Sequence, residues 1–600
     1  MPLTPRLALA AALLAACAQP QAVGVSSPAA PASGWQREVA PFPVFDSAGA
    51  RLELPFLGGY NTPRPQLLDV DGDGDLDLLV QEYSNRLTLL ANEGPGPRGV
   101  PRFTFVSDHW AGLDVGEWSR FLDVNGDGRL DAFAELPFSH IRLWTRGPGA
   151  TPAFAPGDSV RDTEGRAIFA DRQNIPQFVD LDCDGRLDLL IGRVQGTILR
   201  YEAERREGTP SFRLVDERFQ DLEIITGQGS RHGANTMAFA DVDGDGDLDL
   251  VWGDFFEPGL LLFENTGRCE EPLLRKEPVG FPVTAPVRTS GYNAPAFGDV
   301  DRDGHLDFVV GVVGGSYDPN RTTIANLLYY AGTPGHGFAA RTDRLLSQVD
   351  VGSESLPVLA DLDGDGDLDL LVGNKLEPLE KGTSRLWRFE NVGSRSAPQF
   401  RWRGALPLRG RYHMAPAAGD LDGDGDADLL VGSFSSRVAL ARNDGGAFTI
   451  IDSALVTIPR GSNTTPALGD LDGDGDLDLL VGEASGSLNY YRNDGSRTAP
   501  AFTLVSETFD DIKVGRRSAP HLADVDGDGD LDLLVGTDEG GLATFRNEGS
   551  RAVWRFVREA GITTEVPPMS APAAGDLDGD GRMELVVGNS GGGLLFLRRR

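Results

Sequence analysis

Short apolar runs recur along the chain at nearly even spacing, and each follows a stretch of alternating acids. Leu479-Leu480-Val481-Gly482 is one such run, a continuous apolar segment of the kind found in strands buried on both faces. Ahead of it, Pro466-Ala467-Leu468-Gly469 reads as a shorter strand leading into the acidic residues. Behind it, a Gly-containing turn precedes a third strand, Ser487-Leu488-Asn489-Tyr490-Tyr491-Arg492. Asn493-Asp494-Gly495 has hairpin-turn chemistry, and Pro500-Ala501-Phe502-Thr503-Leu504 opens a fourth strand. No amphipathic helical period of useful length interrupts this order. The pattern predicts an all-β chain of repeated four-stranded antiparallel sheets.

The acidic stretch is a nine-residue motif, D-x-D-x-D-G-x-x-D. It starts at Asp69, Asp123, Asp180, Asp241, Asp299, Asp361, Asp420, Asp470, Asp524 and Asp576, a mean period of about 56 residues. Four-stranded sheets repeated radially are the blades of a β-propeller. Ten motifs favour one ring of ten blades over residues 35–600, with a smaller ring or two propellers in tandem as the alternatives. The last repeat stops after its third strand, Leu594-Leu595-Phe596-Leu597. A spare strand-like segment, Val39 to Phe45 followed by Leu52-Glu53-Leu54, precedes the first motif. An N-terminal strand is therefore expected to complete the last blade and cover its edge.

Charge changes the picture little once it is located. The formal net charge is −35, but the ten motifs hold 45 of the 90 acidic residues and only four arginines. The rest of the chain is slightly basic, so a polyanion-binding surface or a general acidic field has no support. Gly and Pro number 76 and 39 of 600, which is turn-rich yet below the range of low-complexity chains. Three cysteines exclude a disulfide-framework miniprotein and a four-cysteine zinc site.

Carboxylates at motif positions 1, 3, 5 and 9, with glycines allowing a sharp loop, supply the hard oxygens that Ca²⁺ prefers; position 7 can add a backbone carbonyl. Mg²⁺ demands tighter octahedral geometry and fits less well. An EF-hand is excluded because position 12 is apolar, Val481 in the eighth repeat, and no helices flank the loop. The candidate ligands in the first five loops are Asp69, Asp71, Asp73, Asp77; Asp123, Asn125, Asp127, Asp131; Asp180, Asp182, Asp184, Asp188; Asp241, Asp243, Asp245, Asp249; and Asp299, Asp301, Asp303, Asp307. In the last five they are Asp361, Asp363, Asp365, Asp369; Asp420, Asp422, Asp424, Asp428; Asp470, Asp472, Asp474, Asp478; Asp524, Asp526, Asp528, Asp532; and Asp576, Asp578, Asp580, Glu584. The alternative is a set of Asx-turns without an ion, which mutual repulsion of four carboxylates disfavours.

These loops resemble those of the FG-GAP/VCBS repeat family, the calcium-loop β-propellers similar to integrin α chains. The resemblance covers about residues 35–600 and implies up to ten Ca²⁺, mainly structural, between the first and second strand of each blade. Arg129, Arg186, His305 and Arg582 stand at position 7, and Cys183 and Arg302 at the usual glycine of position 4. The second and fifth loops are expected to bind most weakly, one lacking a charge and the other carrying Arg302 and His305.

Arg6, the apolar run Leu7 to Ala16 and Leu14-Ala15-Ala16-Cys17 resemble a bacterial lipoprotein signal, too short to span a bilayer. The resemblance implies a signal peptide over residues 1–16, lipidation of Cys17, and a protein exported to the envelope, at the outer membrane or cell surface. Residues 17–34 lack charge and bulk and read as a disordered tether. Cys183 and Cys269 fall on loops that share one propeller face, so they pair as a disulfide or remain buried thiols.

The face opposite the acidic loops differs in composition. Tyr60, Trp118, Arg120, Arg172, Arg231, His232, Tyr292, Arg411, Tyr412, His413, Arg460 and Arg516 stand just ahead of successive motifs. Planar donors and aromatics there suit a protein or glycan ligand, and loops on a rigid scaffold are where binding resides. No Gly-x-Ser-x-Gly, His-Glu-x-x-His or phosphate-cradling loop is present. The sequence thus reads as a calcium-stabilised binding or adhesion module, not an enzyme and without a nucleic-acid partner. A propeller-type polysaccharide lyase or hydrolase, working through Arg231-His232 or Arg411-Tyr412-His413, is the alternative, and a structural envelope component the third.

Overall fold

The computed structural model describes residues 34–599 except 83–85, 114, 137–138, 150–151, 171–173, 205–209, 224–234, 315–323, 379, 381 and 563–565. Residues 1–16, expected as a signal peptide, Cys17 and all but Gly34 of the expected tether lie outside the described residues, as do Arg172, Arg231 and His232. Among the described residues there is no α-helix; the regular structure is ten sheets built on antiparallel four-strand meanders.

Each sheet follows the order read from the sequence. In the eighth, Thr465–Gly469, Asp478–Gly482, Leu488–Asn493 and Phe502–Ser506 pair in turn. The acidic loop joins the first two strands, and the second strand is buried along its whole length. That burial explains the uninterrupted apolar run: both faces of the strand meet neighbouring sheets.

The packing between sheets decides the ring. Ten apolar clusters each join two sheets. They couple sheets 1–2, 2–3, 3–4 and 4–5, and a further cluster joins sheet 5 to sheet 1 through Leu78, Val80, Leu90, Val300, Val309 and Tyr329. The other five couple sheets 6–7, 7–8, 8–9 and 9–10, and sheet 10 to sheet 6 through Leu370, Val372, Leu577 and Val586. The innermost strands repeat this order, with Asn293–Gly298 beside Arg64–Leu68 and Ala571–Gly575 beside Leu356–Ala360. The β-propeller expectation holds, but the favoured single ring of ten is corrected to two consecutive rings of five sheets. Even repeat spacing cannot reveal this, because the crossing between rings, residues 343–355, is no longer than an ordinary inter-sheet connection.

The N-terminal segment ties the rings together. Trp35–Glu38 forms the fourth strand of sheet 10 against Gly592–Arg599, as expected in kind. The strand lies earlier than the Val39–Phe45 segment singled out in the sequence; Val44–Phe45 instead runs parallel to Phe400–Ala405 at the rim of sheet 6. Phe42 and Phe56 fill the seam between sheets 6 and 10, their rings 5.3 Å apart. Arg37 reaches from the sheet 10 strand to a buried ion pair with Asp108 beside sheet 1.

Candidate functional site

Each acidic loop is a self-bonded turn. In the first, Asp69 accepts the Gly72 N–H at Oδ1 (2.7 Å) and the Gly74 N–H at Oδ2 (3.2 Å). Gly72 and Gly74 have φ of 84° and 88°, which glycine adopts without the strain an L side chain meets there. Cys183 and Arg302 hold the same left-handed turn at φ of 55° and 60°. Asp77, buried at the start of the second strand, accepts the Val70 N–H (3.2 Å) and the Asn92 N–H (2.9 Å). Position 9 therefore pins the loop to the third strand, and Asp249, Asp428, Asp478 and Asp532 do the same.

The donor set fits a hard divalent cation. Carboxylate oxygens of Asp69, Asp71 and Asp73 can converge within 4.8 Å of one another, as can those of Asp180, Asp182, Asp184 and of Asp361, Asp363, Asp365. A further signal comes from position 7, where only a carbonyl was expected. Asp247, Asp367, Asp476 and Asp530 are buried there, each with an Oδ1 that has no hydrogen-bond partner. Burial and the neighbouring loop carboxylates push Asp247, Asp367 and Asp530 up to about 6. Buried, unpartnered, mutually repelling oxygens are what a bound cation would satisfy. An aspartate at position 7 in a run otherwise explained by glycine and leucine was the readable sign.

Arginines distinguish the loops. Arg129 pairs with Asp127, Arg186 with Asp184, and Arg200 with Asp182 and Asp188. Arg388 reaches Asp363 (2.6 Å) and Asp369 (2.8 Å), and Arg598 reaches Asp578 and Glu584. Arg302, placed beside its own ion by sequence position, instead crosses to the first loop, 2.9 Å from Asp75 and 3.6 Å from Asp73.

At several seams the third-to-fourth-strand turn of the next sheet sits over the acidic loop. Arg551 reaches Asp470 (2.8 Å) and Arg395 reaches Asp576 (3.2 Å). Where those arginines stand, sheet 4 has Cys269, disulfide-bonded to Cys183 of the third loop with Cα atoms 5.6 Å apart. Of the two readings left open by the sequence, the disulfide is the one present.

The opposite face is less open than the sequence suggested. Tyr60 and Trp118 are wholly buried, and Tyr292 and His413 nearly so. Tyr60 belongs to the seam between sheets 5 and 1, and Trp118 to that between sheets 2 and 3. Aromatics ahead of an inner strand fill the wedge between neighbouring sheets, which spacing alone does not separate from a ligand platform. Arg120 stands half-buried on the innermost strand of sheet 2. Arg411, Tyr412, Arg460 and Arg516 are exposed, and Tyr412 stands 6.1 Å from the ring of Phe434, which is 57% exposed. Phe434 lies in a second-to-third-strand turn and was missed because a lone aromatic between serines carries no periodic signal.

An FG-GAP-like repeat model matches residues 69–134, 361–431, 420–481, 470–535 and 524–587. The chain carries FG-GAP-like repeats. The first match runs from the acidic loop of sheet 1 into the second strand of sheet 2, and the other four run from the acidic loop of sheet 6 to the second strand of sheet 10. No curated protein matches the chain. Among solved structures, an Agrocybe aegerita lectin described as recognising non-reducing terminal N-acetylglucosamine is 16% identical, with a TM-score of 0.25, over 67% of this chain and 95% of that one. A GH43 β-xylosidase/α-arabinofuranosidase from a compost metagenome, solved with xylotriose in a calcium-free form, is 11% identical, with a TM-score of 0.30, over 42% and 92%.

Proposed function

We propose that this FG-GAP repeat chain is an extracytoplasmic binding module, anchored through Cys17, stabilised by calcium and recognising a protein or glycan through the face opposite its acidic loops. The observation that carries the reading is the exposed pair Tyr412 and Phe434, with Arg411 beside them on the second ring. Exposed aromatics flanked by a guanidinium on a rigid rim are what a sugar ring or peptide uses as a platform. Calcium would be held by position 1, 3 and 5 carboxylates with the buried position 7 aspartates, and would neutralise charges that otherwise repel. Its role is to hold the loops, and thereby the seams between sheets.

A binding role is favoured over catalysis by the state of His413. It is almost wholly buried, and burial pushes its pKa down to about 4, leaving it neutral and out of reach of a large substrate. The test uses a soluble chain starting at Gly34, incubated in calcium with envelope and plant polysaccharides. Bound protein without new oligosaccharide ends supports the module, and Tyr412→Ala with Phe434→Ala then removes binding. New ends would replace this reading with a lyase or hydrolase, and absence of binding would point to a protein partner.

A further inference from the structure

The axes of the two rings differ in chemistry. In the second, the positions at the register of Leu356 and Val358 carry Ala415 and Ala417, Thr465 and Ala467, Ala519 and His521, and Ala571 and Ala573, none of them an arginine or a carboxylate, beside an axial cavity of about 410 Å³. In the first ring the residues at the register of Leu356 and Val358 are Arg64 and Gln66 in sheet 1, and Trp118 and Arg120 in sheet 2. Its five innermost strands hold two arginines and no acidic residue.

Among the described residues neither arginine forms an ion pair. Arg120 spends Nε on the Pro176 carbonyl (3.2 Å) and Nη1 on that of Ser119 (3.4 Å), both neutral acceptors. Arg64 is half-buried, and its Nε and Nη1 are buried without any hydrogen-bond partner. Glu82, a buried carboxylate that feels the Arg64 charge, accepts the Asn61 N–H (2.9 Å) and the Thr62 N–H (2.9 Å), and Arg86 acts on it more strongly than Arg64 does. Tyr292 is the other titratable group facing Arg120. Burial, and then the Arg64 charge, hold Arg120 down at about 10. Two like charges in a desolvated channel are unfavourable unless an anion joins them, and the second ring shows that the fold accepts apolar side chains at these positions.

We propose that the axis of the first ring, at the end away from the acidic loops, is an oxyanion site in which Arg64 and Arg120 bind a carboxylate or sulfate group of the ligand. This deepens, and rests on, the reading that this face is the recognition face. A guanidinium offers parallel N–H donors to a planar carboxylate, so an acidic sugar or sulfated glycan is the class of ligand that fits.

The test is thermal melting of the calcium-loaded protein with low-millimolar sodium galacturonate or sodium sulfate, against sodium chloride at equal ionic strength. Either or both anions are expected to raise the wild-type Tm by about 2–4 °C, chloride not at all; which of them acts separates carboxylate from sulfate. Arg64→Leu, which copies the second ring, should melt no lower than wild type in chloride and lose the anion shift. Arg64→Gln keeps the test available if the leucine variant misfolds. No shift with either anion, or a shift that survives both substitutions, overturns the proposal. Polysaccharide binding equal in wild type and Arg64→Leu would leave the recognition face standing without this site, whereas an anion shift without polysaccharide binding would do the reverse.

Discussion

The two rings solve closure differently. The second is regular: its second strands read Asp-Leu-Leu-Val-Gly four times and Glu584-Leu-Val-Val-Gly once. It is closed by exchange, with the N-terminal strand Trp35–Glu38 joining three C-terminal strands in sheet 10. The first ring draws all four strands of every sheet from consecutive sequence and closes by side-chain packing between sheets 5 and 1. It alone carries a disulfide among the described residues, at a seam where the second ring uses Arg–Asp pairs. A ring whose last sheet is shared by both chain ends cannot open without breaking a strand pair. A ring closed by packing alone gains more from a covalent staple.

The largest expected effect is common to both. Removing calcium with excess EGTA should lower melting by more than about 10 °C, because each site filled at 100 times its Kd adds about 2.7 kcal/mol. A melt unchanged in EGTA would mean the loops are ion-free turns. Next, Phe596→Ala empties a fully buried site in the seam between sheets 6 and 10 and should cost about 3–5 kcal/mol. The loss should appear in a calorimetric transition of the second ring while the first holds; loss of both together would argue for one cooperative unit. Replacing Cys183 and Cys269 by serine opens a link across 86 residues and should cost about 2–4 kcal/mol, confined to the first ring.

The smallest effect is a pH dependence of the chelated protein. Asp247, Asp249, Asp367 and Asp530 are raised to about 6 from the ordinary aspartate value of 3.8. Between those values the folded chain binds more protons than the unfolded one, so stability falls as pH rises from about 4 to about 6. In EGTA the protein should melt several degrees higher at pH 5 than at pH 7.5. Calcium should abolish or reverse that order, since the ion needs the carboxylates ionised. Identical pH profiles with and without calcium would contradict the loop assignment.

The local fold was legible in the sequence because each strand's burial is written in its own run: Leu479-Leu480-Val481 could only be a strand covered on both faces. The loops were legible because glycine and aspartate have few other reasons to alternate. Ring size was not, since it depends on the angle between neighbouring sheets, and that angle is set by side chains such as Trp118 and Phe133 packing across sheets. The face opposite the acidic loops was half legible. Arg411 and Tyr412 point outward, while Tyr60 and His413, equally placed in sequence, are consumed by the seams and the axis. Arg64 escaped notice because one arginine before a proline looks like surface charge until its neighbours around the axis are known.

The most direct test of the account is an experimental structure from crystals grown in calcium, with long-wavelength data to locate the ions. The account predicts anomalous difference peaks inside the acidic loops, arranged in two circles of five or fewer, with the loops of Asp241, Asp420, Asp470 and Asp524 occupied. Empty loops, or peaks distributed around a single circle of ten, would contradict it.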